Sequence, residues 1–134
     1  MIRRNLMSYY FSKILGISFD EALVRVTEEL KKEGFGILTE IDVKETMKKK
    51  MNVDFRKYKI LGACNPPLAH KAMQTEDKIG TMLPCNVIVQ EMSEGQIEVA
   101  AIDPVASMQA VENPKLQDVA DQVRVKLKRV IDSL

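Results

Sequence analysis

The chain has 134 residues, 46% of them apolar and 29% charged, which suits one ordinary domain with a buried core. Its formal charge is only +1, so no overall field draws it to nucleic acid or to an anionic membrane. Aromatic residues make up 5% and tryptophan is absent, which argues against a stacking platform for single strands.

The N-terminal "MIRRNLMSYYFSKILG" sets two arginines ahead of apolar residues, as a secretion signal does. Ser8, Ser12 and Lys13 interrupt the apolar run, and no small-residue cleavage pattern follows. A single domain spanning 1–134 is expected. No stretch approaches the ~18 apolar residues of a membrane span, so no membrane contact is expected. A cytoplasmic setting is the expectation, with Cys64 and Cys85 as free thiols.

"YYFSKIL" (9–15) reads as a first strand, ended by Gly16. Ser18 followed by Glu21 has capping-box spacing and predicts a helix start. Phe19, Ala22, Leu23, Val26 and Leu30 then fall on one helical face, and Gly34 supplies the stop. "FGILTEI" (35–41) is a second strand. Asp42, with Glu45 three residues on, can cap a short helix carrying Val43, Met47 and Met51 on one side and lysines on the other. Residues 44–59 hold seven Lys or Arg against two acids, whereas 61–112 hold two Lys against seven acids. The basic run reads as a solvated helix face before it reads as a binding patch.

"KYKILGAC" (57–64) alternates as a third strand, with Tyr58, Ile60, Gly62 and Cys64 on one face and Lys57, Lys59, Leu61 and Ala63 on the other. A helix to about Gln74 follows Asn65, and an acidic stretch leads through Gly80 to "LPC". "NVIVQEMSEGQIEVAAID" predicts a hairpin turning at Glu94-Gly95. That turn pairs Met92 with Ile97, Val89 with Ala100 and Asn86 with Asp103. Finally Leu116, Val119, Ala120, Val123, Leu127, Val130 and Ile131 form the apolar stripe of a C-terminal helix. The order βαβαβαββ(α)α predicts an α+β fold, a mixed or antiparallel sheet packed with helices.

The residues that bear chemistry gather at strand ends. Asn65-Pro66, Asp103-Pro104 and Asn113-Pro114 are each an Asx before proline, the pair that starts a helix. The Asx accepts an amide hydrogen bond, and proline has no donor to leave unsatisfied there. Cys64 stands just before one such start, beside the positive end of a helix dipole, where a thiol pKa can fall. Pro66 and Pro67 weaken that effect by removing two amides, leaving those of Leu68 and Ala69 as the first donors. His70 is the only histidine and lies one turn inside the helix. With Cys85 and Asp103 these residues compose a zinc-like donor set, but neither C-x-x-C nor H-x-x-x-H is present, and no metal is favoured. Phosphate-loop, dinucleotide, nucleophile-elbow and zinc-protease motifs are all missing, so no cofactor is indicated.

"GFGILTEIDV" (34–43), "DFRKYKILGACNPPLAHKA" (54–72), "LPCNVIV" (83–89) and "AAIDP" (100–104) together resemble the bacterial and archaeal domain-of-unknown-function family 302. The resemblance runs from about Tyr9 almost to the end of the chain and leaves residues 1–8 outside it, which implies that they are an N-terminal extension. It implies a compact α+β domain from a cytoplasmic prokaryotic protein, functioning as a homodimer. It implies no reaction, substrate or cofactor, but its motifs fall on Cys64, Asn65, His70, Cys85 and Asp103.

The leading expectation is a homodimeric binding or accessory domain. Its polar pocket would be formed by Cys64, Asn65, His70, Cys85 and Asp103, taking a small anion or metabolite at free helix-start amides. The alternatives are a thiol-dependent enzyme or metal site using Cys64, His70 and Cys85, and a purely structural interaction domain. No nucleic-acid partner is expected.

Overall fold

The computed structural model describes residues 8–134, so all but Ser8 of the expected extension lies outside the described residues. Strand β1 is Tyr10–Leu15, followed by α1 (Phe19–Lys32), β2 (Gly36–Asp42) and α2 (Val43–Met51). Strand β3 (Tyr58–Cys64) leads into α3 (Pro66–Thr75) and a 3-10 turn (Ile79–Met82). Strands β4 (Cys85–Ser93) and β5 (Gln96–Ile102) precede the short α4 (Pro104–Ser107) and the long α5 (Pro114–Asp132). The sheet has five strands in the order β1-β5-β4-β3-β2, every neighbouring pair antiparallel.

Periodicity explains which faces meet. The Ser18 side chain accepts from the Glu21 amide, starting α1 as the capping-box spacing predicts. Ala22, Val26 and Leu30 are buried from α1, and all seven apolar positions read for α5 are buried. They pack against Leu15, Leu61, Val87, Val89, Ile97, Val99 and Ala101, the alternate positions of four strands. Each fully buried Val, Leu or Ile side chain in that layer contributes about 1.5–3 kcal/mol. Lys13 lies on the same edge, and its Nζ donates to the Leu134 carbonyl at 2.6 Å, holding the end of the chain to the sheet.

The β4–β5 hairpin corrects the expected register. Ser93 pairs with Gln96 around the Glu94-Gly95 turn, as expected, but an irregularity at Met92 then shifts the ladder by one residue. Val89 therefore faces Val99 instead of Ala100, and Val87 faces Ala101. The reason is the period of two. Without the extra residue, Val87 and Val89 would share a face with Ala100 and Ile102, and Val99 and Ala101 would be turned away from the core.

Helix α2 is capped as read, with Asp42 accepting from the Glu45 amide at 2.9 Å, yet it buries none of its residues. Met51 is 66% exposed. The lysine-rich side is a solvated face: Lys48 pairs with Asp54, Lys49 with Glu45, and Lys44 donates to the Phe55 carbonyl. Such exposed pairs add only ~0–1 kcal/mol each.

Two glycines are dictated by close approach. Gly34 has φ +86° at the end of α1, and a Cβ there would stand 3.0 Å from Asn65 Nδ2. Gly62 lies where β3 is crowded by Thr39 of β2 and Pro84, just before β4.

Candidate functional site

Where β3 runs into α3, small side chains face one another. They are Ala63 on β3, Ala69 and Ala72 on α3, Ala120 on α5, and Gly80 in the 3-10 turn. Packing does not close the space between them, and a cavity of about 310 Å³ remains, open to solvent on one side. Leu38 and Met73 also line it while staying 67% and 47% exposed, which places them toward its mouth.

Of the five residues expected to form a pocket, Cys64, Asn65 and Cys85 line this cavity. Cys85 opens β4 and pairs with Ala63, so Cys64 stands one residue further along the neighbouring strand. Both thiols are free, Cys64 half-buried and Cys85 buried. Burial pushes the Cys85 thiol up from 9.0 to about 11, and the nearby Cys64 adds to the effect. Between those values the unfolded chain has lost the proton that the folded chain still holds, so unfolding gains a driving force as pH rises. The contribution of this thiol to stability is therefore complete below pH 9.0 and lost as pH climbs to about 11. Urea midpoints recorded between those limits should fall more steeply for the natural chain than for Cys85→Ala. Parallel slopes would mean that the thiol is not sequestered.

Asn65 has a structural task at each end of its side chain. Its Oδ1 accepts from the Leu68 amide at 3.5 Å, and its Nδ2 donates to the Glu33 carbonyl at 3.2 Å, joining the start of α3 to the end of α1. The Ala69 amide is held by the Asn65 carbonyl. With proline at the first two helical positions, the start of α3 has no free amide for the anion expected there.

His70 and Asp103 do not join the site. Leu68, Ala69, Ala72 and Met73 form the inward stripe of α3, and His70 lies about 130° round the helix from its centre, exposed. Asp103 caps α4 by accepting from the Val105 amide at 3.0 Å. Its other oxygen meets Arg124 Nε of α5 at 3.2 Å, with the guanidinium 5.1 Å from the centre of the Phe11 ring. The fold thus uses Asp103 to seat α5 on the sheet. The set Cys64, His70, Cys85 and Asp103 is not assembled, and no cluster of three or more ligand-type side chains occurs among the described residues.

The cavity also takes in residues that motif reading passed over. Phe35, Leu83, Pro84 and Met108 complete its wall, with Val119 and Val123 from α5. The apolar spacing of Leu68, Ala69, Ala72 and Met73 was the available signal. It marks the side of α3 that faces the cavity and excludes His70 from it.

Fold and site together define a small α+β domain with helices against one antiparallel sheet and an apolar cavity at a strand–helix corner. The chain belongs to the family described as Domain of unknown function DUF302, whose model matches residues 11–134. The family resemblance and the α+β class read from the sequence are both borne out. A solved structure, that of an uncharacterized conserved protein DUF302 from Bacillus stearothermophilus, is similar with a TM-score of 0.86. It is 26% identical, and the match covers 93% of this chain and 97% of that one. No curated protein matches the chain. No helix among the described residues is long and apolar enough to cross a membrane.

Proposed function

We propose that this chain is a small-molecule-binding domain that acts as a homodimer, with its ligand in the cavity between β3, α3 and α5. The cavity itself carries the reading. Its volume of about 310 Å³ is in the range of ligand sites, and it is the place where Cys64 and Cys85 meet open space. The thiol-enzyme alternative loses support because His70 is exposed and lines no part of it.

The dimer is supported by surface left over in the monomer. Strand β2 is an edge strand with Ile41 48% exposed, and α2 beside it buries nothing. A cytoplasmic setting agrees with two free thiols.

Thermal-shift screening of polar and apolar metabolites tests the site. A true ligand raises the melting temperature of the natural chain, and that response disappears in Ala69→Trp, which puts an indole ring into the cavity, and weakens in Cys64→Ser. A response unchanged in a folded Ala69→Trp would move the site elsewhere. Light scattering on the same samples should give twice the chain mass, and a monomer would remove the dimer from the proposal.

A further inference from the structure

We infer that the occupant of the cavity is a hydrocarbon-bodied molecule of about a dozen non-hydrogen atoms, bound apolar end first with any charged end at the mouth. The inference rests on the cavity being the functional site. Size is the first support. At about 310 Å³ the space is roughly twice the ~150 Å³ of an apolar cavity that holds one benzene ring.

The chemistry of the wall is the second support. Among the described residues, the polar side chains lining it are Cys64, Asn65 and Cys85. Asn65 holds Leu68 with its carbonyl and Glu33 with one amide hydrogen, so it is fixed by the fold and has a single N–H left for a ligand. Thiols are weak donors and acceptors, and behave in a core as small apolar groups. Burial also keeps Cys85 protonated across neutral pH, so it brings no charge to the wall. A carboxylate or phosphate drawn inside would lose its hydration and find no cation in return, with one carboxamide N–H the strongest donor among the lining side chains.

The mouth is the third support. Leu38 and Met73 stand there exposed, offering an apolar rim over which a chain can slide, and methionine adapts its shape to what passes. A polar metabolite gains nothing from such a rim.

Cys64 supplies a direct readout, since it lines the cavity and is only half-buried. Its rate of alkylation by iodoacetamide, followed by peptide mass spectrometry, is measured against increasing butan-1-ol, hexan-1-ol, octan-1-ol and decan-1-ol. Parallel titrations use inorganic phosphate and citrate. The alcohols should shield Cys64 saturably, the half-protecting concentration falling about threefold to fourfold per methylene through decan-1-ol, whose length stays within the size inferred for the occupant. Ala69→Trp should abolish the shielding, and Met73→Trp at the mouth should weaken it should the first variant fail to fold. If phosphate or citrate shields Cys64 and the alcohols do not, the site stands and the apolar class is overturned. Shielding that is independent of chain length overturns it as well. If no probe shields Cys64, both the site and the class fall. If Cys64 becomes reactive only on dilution to monomer, the occupant is the second copy, and the inference is overturned in its favour.

Discussion

Gly62→Ala is expected to lower stability by about 3 kcal/mol, at the upper end for overpacked positions. A Cβ at this point would overlap Thr39 Oγ1 and stand 2.7 Å from Pro84 Cγ. Alanine would ordinarily be favoured in an extended strand, because it restricts the unfolded chain more than glycine does, by about 0.4–1 kcal/mol. Here the steric term is larger, since one neighbour belongs to β2 at its bulge and the other is a rigid ring. Urea denaturation of Gly62→Ala measures the loss. Repeating it in a Thr39→Ala background should recover a substantial part, because the most crowded atom is then gone. A loss under about 0.5 kcal/mol, or no recovery in the double variant, would show that the strands do not approach this closely.

The second large effect is expected at Leu127. It is fully buried on the core side of α5, and Leu127→Ala should cost about 2–5 kcal/mol, the removed methyl groups plus the void they leave. Val125 lies on the same helix but is 52% exposed, so Val125→Ala should stay within about 0.5 kcal/mol of the natural chain. Equal costs at the two positions would mean that α5 is rotated from the face described. The comparison bears on the site as well, because Val119, Ala120 and Val123 of the same helix wall the cavity.

What could be read in advance was local. Asn65, Asp103 and Asn113 each cap the helix that their following proline begins, accepting from Leu68, Val105 and Lys115. A cap needs only three or four neighbouring residues, so its chemistry is written in one place. The α5 stripe was legible for the same reason: seven positions at helical spacing leave one face to bury.

Strand order was not legible, because alternation says which face a residue occupies and not which strand lies beside it. The hairpin register falls between the two cases. Glu94-Gly95 marks the turn, but the bulge at Met92 answers to the long-range demand that Val87 and Val89 share a face with Val99 and Ala101. The site was legible only in part. Cys64 and Cys85 were recognised by type, whereas the cavity arises because Ala63, Ala69, Ala72 and Ala120 are small on elements that meet only after folding. His70 drew notice as a lone imidazole, and its rotation away from the stripe of α3 was already present in the spacing.

Helix α3 is tied at both ends by carboxamides: Asn65 to the Glu33 carbonyl at its start, and Asn113, the cap of α5, to the Thr75 carbonyl at its end. Both asparagines precede proline. Asparagine loses its amide by ring closure, in which the nitrogen of the following residue attacks the side-chain carbonyl, and a proline nitrogen has no hydrogen to give up. The two positions where this chemical ageing would loosen the wall of the cavity are therefore two where the reaction is blocked.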